Sequence, residues 1–378
     1  METRLGNYIH EYSVRNKLDE DIPVYSVTNS QGFCKDYFGK EVASKNKTTY
    51  KIVPKGYFAY NPSRINVGSV DWQRNEERVI VSPLYNVFYV DSEINQQYLF
   101  YFLKSNFALQ NIKAVATGSV RDNLKFEMLK EFQIKLLPLE EQNEIVEKLD
   151  LITKIIEEYK AELYKYDELI KARFIEMFGD ILGDRTLPLI RLCELADIGS
   201  SKRIYANEYA ESGIPFYRSK EIRELGTGLK PSIKLFIKQE RYDEIREKYG
   251  VPKVGDILIA AIGATIGYSW IVDTASPFYY KDGNLIILAI KDNVNPIFLN
   301  HTIGILIEDF KKKGVAGSAQ LALTIEKLEK MMVVNPELEL QNQFADFVKQ
   351  VDKSREDVKK SLEKTQQLYD SLMQEYFG

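Results

Sequence analysis

Histidine, cysteine and tryptophan are nearly missing from this sequence, with two of each in 378 residues. Cys34 and Cys193 stand too far apart to form a metal cluster by spacing, and so low a cysteine content fits a reducing cytoplasm. His10 and His301 leave almost no material for histidine-based nucleophilic or metal catalysis and are read as structural or surface residues. Long apolar runs are lacking too. The nearest candidate, 257–268, is short and broken by glycine, whereas a membrane span needs roughly 20 apolar residues. Nothing in residues 1–12 resembles the apolar core of a signal peptide. The expectation is a soluble cytoplasmic protein that does not span a membrane.

The motifs of several chemistries are absent as well. A methyltransferase acting on DNA amino groups needs a glycine-rich cofactor turn and an Asn/Asp-Pro-Pro-aromatic motif. Tyr60-Asn61-Pro62-Ser63 lacks the second proline and the aromatic residue, and Gly226-Thr227-Gly228 runs into Leu-Lys-Pro rather than a helix, so both read as turns. No Gly, four residues, Gly-Lys-Ser/Thr pattern is present to cradle a nucleotide phosphate. Carboxylates are plentiful, but their clusters fall on outer faces of predicted helices, where solvated charge is the better reading. No catalytic residue and no metal ligand is assigned.

What is present favours a folded, two-domain chain. Hydrophobic residues make up 44% and aromatics 12%, with 24 Tyr and 19 Phe, enough for substantial cores. Single cores seldom grow past roughly 250 residues, so this length suggests two. The net charge of −4 is unevenly spread. Residues 1–138 hold 18 basic against 15 acidic side chains, a net of +3, and residues 181–336 hold 21 against 19, a net of +2. The acidity sits in residues 139–180, at 6 against 12, and residues 337–378, at 6 against 9. An acidic average therefore leaves two mildly basic regions free to meet nucleic acid.

An internal repeat organises the chain. Gln142-Asn143 recurs as Gln341-Asn342 and Phe178-Gly179 as Phe377-Gly378, both 199 positions later. Lys154, Glu157, Lys160, Leu163, Lys165, Leu169 and Glu176 find identical residues at the same offset, as do Gly56, Gly68, Gly118-Ser119, Leu124, Glu127 and Leu129. Ile22-Pro23-Val24-Tyr25 matches Ile214-Pro215-Phe216-Tyr217 at an offset of 192, which implies a small insertion in the second copy.

Each copy reads as a globular domain followed by a long helix. Ile145, Leu149, Ile152, Ile156, Tyr159, Leu163, Tyr166 and Ile170 step by four and three, the seam of a coiled coil. The second copy carries Phe344, Val348, Val351, Val358, Leu362, Tyr369 and Leu372, interrupted by Arg355 and Thr365. Pro138 and Pro336 stand just before these helices and Gly179 and Gly378 just after them. Some 38 helical residues make a rod of roughly 57 Å. The predicted organisation is α+β: a globular domain over 1–137, a helix over 138–179, a second domain over 180–335 and a helix over 336–378, the two helices pairing as an antiparallel coiled coil. Within the domains, 79–81, 87–90 and 285–290 read as strands, and 97–110 and 296–312 as helices.

The polar clusters left over suit DNA contact. They are Asn61, Ser63, Arg64 and Asn66 in the first copy, with Lys202, Arg203, Arg218, Ser219, Lys220, Lys311, Lys312 and Lys313 in the second. Arg and Asn can grip base edges in two places, while Lys and Ser more often hold phosphates. Asn61-Pro62 would equally well shape a turn, and the three lysines would equally well end a helix. Gly118-Ser119-Val120-Arg121 and Gly317-Ser318-Ala319-Gln320 place a glycine-serine loop and a forked polar side chain at corresponding points. Ser119, Arg121, Ser318 and Gln320 are therefore further candidates.

On these residues the whole chain resembles the specificity subunit of type I restriction-modification systems. The resemblance rests on Leu137-Pro138-Leu139-Glu140-Glu141-Gln142 leading into a long helix that ends Phe178-Gly179, on the Gly-Ser loop before it, and on the near-copy in the second half. In that copy Leu340 replaces the usual Glu. The resemblance implies two target-recognition domains reading the halves of a bipartite, asymmetric site on double-stranded DNA, with the helices as a ruler. Half-sites one helical turn apart lie roughly 34 Å from each other, within reach of such a rod. It also implies partners: two methyltransferase subunits that use S-adenosylmethionine, and endonuclease/translocase subunits that use ATP and Mg2+. The chain itself would carry no cofactor and no catalysis. The alternative is a coiled-coil adaptor that is not specific for DNA.

Overall fold

The structure, a computed structural model, describes residues 2–35, 47–116, 123–183, 187–314 and 321–378. Two compact units emerge, Met1–Glu162 with Val358–Gly378, and Leu163–Asp357. Each joins a globular α+β part to portions of both long helices.

The first unit is built on an antiparallel sheet of β1 (Ile9–Glu11), β2 (Phe58–Tyr60), β3 (Val70–Trp72) and β4 (Asn86–Val90), in the order β1-β4-β2-β3. Successive side chains on a strand face opposite sides. Phe58 and Tyr60 accordingly enter a core with Phe88 and Tyr98, while Ala59 meets Val53, Val79, Val81 and Val87 behind the sheet. Phe58 and Phe88 are register partners, and their rings stack at 4.9 Å. The helix expected over 97–110 is in fact two, α1 (Gln96–Lys104) and α2 (Asn106–Ala116). Ser105 divides them: its backbone turns extended, and its Oγ accepts a hydrogen bond from Ala108 N at 3.1 Å. A serine that bonds the backbone ahead of it starts a new helix in preference to continuing the old one. The first long helix, α3, spans Leu139–Phe178.

The second unit repeats the sheet with β5 (Ala196–Gly199), β6 (Ile257–Ala260), β7 (Ser269–Ile271) and β8 (Leu285–Ile290), in the equivalent order β5-β8-β6-β7. Both faces are covered here too, Ile257 and Ile259 on one side and Leu258 and Ala260 on the other. The insertion falls between Tyr217 and β6, where α4 (Ser219–Gly226) and α5 (Gln239–Tyr249) lie. The following helix, α6 (Pro296–Gly314), runs unbroken, because Ile305 stands at the counterpart of Ser105 and has no hydroxyl to divert the backbone. The second long helix, α7, is Leu338–Phe377.

Each long helix has 40 residues, about 60 Å. In the first unit Ile145 and Leu149 of α3 share a core with Met373 and Phe377 at the end of α7. In the second, Ile170, Phe174 and Phe178 at the end of α3 meet Phe344, Val348 and Val351 near the start of α7. The helices therefore pack antiparallel. Ile152 and Ile156 are also buried, whereas Tyr159, Leu163, Val358 and Leu362 are half-buried. Arg355, which breaks the apolar seam, is 22% exposed and reaches Asp167 at 2.5 Å.

The recurring Gln-Asn pairs fasten these helices to their domains. Gln142, fully buried, accepts from Asn95 N at 2.9 Å and donates to the Glu93 and Leu137 carbonyls, while Asn95 Nδ2 donates to Asn143 Oδ1 at 2.8 Å. Gln341 and Asn342 repeat the arrangement on Asn295, at 2.9 and 2.8 Å. Asn95 also caps α1, accepting from Gln97 N and Tyr98 N. A buried polar side chain whose partners are all satisfied fixes one geometry.

At the counterpart of Tyr101 the second unit has His301, packed edge-on against Phe344 at 5.4 Å. Burial, reinforced by the Arg355 charge and opposed by Asp167, pushes its pKa down to about 4. The folded state thus resists a proton that the unfolded chain accepts, so the contribution of neutral His301 to stability is complete above pH 6.5 and is lost as pH drops toward 4. Thermal melts of the chain between pH 7 and pH 4 are expected to show this loss, and His301→Leu is expected to flatten it.

Candidate nucleic-acid interface

Several of the described candidate residues lie around one end of each sheet. In the first unit β2 ends at Tyr60, and the chain turns through Asn61-Pro62-Ser63-Arg64 into a short 3-10 turn, Ile65–Val67, closed by Gly68 at φ 85° before β3. The side chain of Asn61 accepts from Ser63 N at 3.1 Å, so Asn61 does shape the turn. Ser63 and Arg64 are exposed and Asn66 is half-buried. Across from this turn, Leu124 N donates to Pro62 O at 3.1 Å, and Tyr60 Oη donates to Leu124 O at 3.2 Å.

The second unit forms the same junction. Leu323 N donates to Ala261 O at 2.9 Å, and Ile262 pairs with Ala322. The chain emerging from each glycine-serine loop is therefore pinned to the turn that follows the sheet's central strand. Ser119, Arg121, Ser318 and Gln320 themselves lie outside the described residues.

Lys202 and Arg203 follow β5 at this edge. Lys202 N donates to Tyr279 Oη at 2.7 Å, its ammonium lies 5.3 Å from the exposed Tyr249 ring, and Arg203 pairs with Asp282 at 2.7 Å. Arg218, Ser219 and Lys220 arrive beside them because strand Ile214–Tyr217 runs parallel to Tyr279–Tyr280, which leads into Asp282. Arg218 is tied to Glu221, only 1% exposed, at 3.1 Å, and Lys220 pairs with Glu224 at 3.5 Å. Deleting one side of a buried ion pair strands the other. Arg218→Ala is thus expected to cost the second unit about 1–3 kcal/mol in urea denaturation.

The triple lysine ends α6. Lys311 pairs with Glu308 at 2.6 Å and Lys313 with Asp309 at 2.7 Å, one turn back on the same helix, whereas Lys312 is exposed with no partner among the described residues. The helix end approaches the 263–267 turn, where a Cβ on Gly267 would stand 2.8 Å from Ile307.

Two residues at the edge escape sequence reasoning. Lys104, at the end of α1, donates to Asn29 O at 3.2 Å, Asn29 Oδ1 at 2.9 Å and Gly68 O at 2.5 Å, joining two turns far apart in sequence. Burial, opposed by Asp71, pushes its pKa down to about 8. No local pattern marks either Lys104 or Asn29, because their meeting depends on how distant turns pack. Among the described residues no group of three His, Cys, Asp or Glu side chains could hold a metal, and no helix is long and apolar enough to cross a membrane.

Comparisons with known proteins extend this geometry. The family described as type I restriction modification DNA specificity domain matches residues 6–165 and again 188–367, one match per copy of the repeat. A Haemophilus influenzae protein named a putative type I restriction enzyme specificity subunit is 29% identical over 264 residues, 68% of this chain, and the match spans 64% of that relative's length. In fold, a chain from a structural study of assembly and conformational transition in a type I R-M system gives a TM-score of 0.60 at 18% identity, covering 100% of this chain and 97% of its own. The S subunit of the M. genitalium type I restriction-modification system gives 0.58 at 15% identity, with 100% and 96% covered.

Proposed function

The chain belongs to the type I restriction modification DNA specificity family, and from that premise we propose that it reads a bipartite, asymmetric site on double-stranded DNA for a restriction-modification complex. The observation that carries this reading is the duplicated junction: in each copy of the family domain a residue that follows the glycine-serine motif, Leu124 or Leu323, bonds to the turn at the end of one inner strand of a four-stranded sheet. Two similar but differently furnished edges suit two half-sites of different sequence, since base contacts specify and phosphate contacts position. Arg64, Lys202, Arg203 and Lys312 supply positive charge there, and the Gly-Ser loops are the candidates for base reading.

The chain acts without catalysis of its own. Two methyltransferase subunits with S-adenosylmethionine modify adenine, and endonuclease/translocase subunits with ATP and Mg2+ cleave unmodified DNA. The acidic, partly aromatic surfaces of the two long helices, in segments of net −6 over residues 139–180 and −3 over residues 337–378, are the docking surface for the methyltransferase subunits. The test is duplex binding by the chain assembled with those subunits. Sequence-selective affinity that falls steeply between 50 and 200 mM salt is expected, on the order of 10³-fold or more. Affinity that ignores both sequence and salt would favour the coiled-coil adaptor.

A further inference from the structure

Beside the 61–69 turn the first unit has a cleft of about 170 Å³ whose lining includes Ser26, Asn29, Ser30, Asn61, Arg64 and Ser69. We propose that this cleft seats a single backbone phosphate of the DNA, making Arg64 a positioning contact and not a base reader. The proposal rests on the DNA-reading function and names the ligand group that one part of that surface takes.

Three observations carry it. The lining carries no carboxylate among the described residues: hydroxyls, amides and one guanidinium stand among Val27, Val67 and Tyr85. Arg64 is exposed and makes no side-chain ion pair or hydrogen bond among the described residues, in contrast to Arg203, Arg218 and Lys220 at the equivalent edge of the second unit. Finally, the cleft is built. The β-turn carrying Asn29 and Ser30 is clamped to the 61–69 turn by Lys104, and Gly68 permits the close approach, since a Cβ there would lie 2.6 Å from Asn29 Oδ1.

Shape separates phosphate from base. Base edges lie recessed in a groove and are reached by side chains that protrude, whereas phosphates project from the duplex and can enter a concavity. A guanidinium lining a cleft with hydroxyls around it matches the second case, because Arg binds phosphate oxygens through a planar fork of N–H donors. Lys104 adds positive charge behind the same wall.

The test uses the chain assembled with its methyltransferase subunits and a duplex carrying its recognition site. Single phosphates are replaced in turn by neutral methylphosphonates, for the parent and for Arg64→Ala. One linkage is expected at which the parent loses about tenfold in affinity, the size of one charge-assisted hydrogen bond, while the variant loses nothing further. The variant should bind cognate and unrelated duplexes weaker by the same factor, with a log–log salt slope shallower by about 0.9 and an unchanged recognition sequence. Tolerance of new bases at one position would overturn the proposal in favour of base reading, and an unchanged salt slope would overturn it in favour of no contact. Both outcomes leave the DNA-reading function standing. A parent complex with no sequence-selective binding would remove that function and this site with it.

Discussion

Truncating Phe178 to alanine is expected to cost the second unit about 3–5 kcal/mol, the usual range for a buried aromatic ring. Phe178 ends the first long helix at 2% exposure, 4.9 Å from the rings of Phe174 and Phe298 and 5.6 Å from that of Phe344. The aromatic rings of Phe174, Phe298 and Phe344 around it are themselves buried, so a cavity term adds to the lost transfer free energy. The two tryptophans, Trp72 and Trp270, fall one in each unit. In a Trp72→Phe background Trp270 fluorescence reports the second unit, and its urea midpoint should fall by more than about 1 M, given m-values of roughly 1–3 kcal/mol/M. A midpoint unmoved by the truncation would mean that the helix end is not packed as described.

Removing one heptad from each long helix is expected to have the largest functional effect. Seven residues are about 10 Å of helix, or about three base pairs. A heptad removes two turns while returning the seam to register, so Leu149-type positions still meet their partners. Both helices must be shortened together, since each supplies packing to both cores. Methylation of the original site should then fall to background, and a site with the same half-sequences and a shorter gap should take its place. An unchanged gap in a folded variant would end the ruler account. Shortening only one helix should instead unfold the unit whose packing it withdraws.

Much of this architecture was legible before any coordinate. The offset of 199 and the four-three spacing from Ile145 to Ile170 are properties of the sequence itself, and each needs only local geometry to become a helix or a repeat. Sheet order was not legible, because strands of three residues such as Phe58–Tyr60 carry too few positions for a period-two pattern to register. Ser105 ended a helix that composition alone would have continued. Gln142 and Gln341 were visible as repeated letters, but their work lies in reaching the backbone before α1 and α6, some 46 or 47 residues earlier in the chain. At the candidate interface, Asn61 and Arg64 stood out by residue type, whereas Lys104 and Asn29 meet only after two turns pack. Arg218 shows the converse: a basic residue in a suggestive cluster, bound to a buried carboxylate that its helix presents three residues on.

Genomic adenine methylation, mapped in cells expressing a methyltransferase subunit of the same system with and without this chain, tests the central claim most directly. The account predicts a split, asymmetric motif that appears only when the chain is present, its two halves matching the two units. With the methyltransferase shown to be competent, the absence of any chain-dependent motif would contradict it.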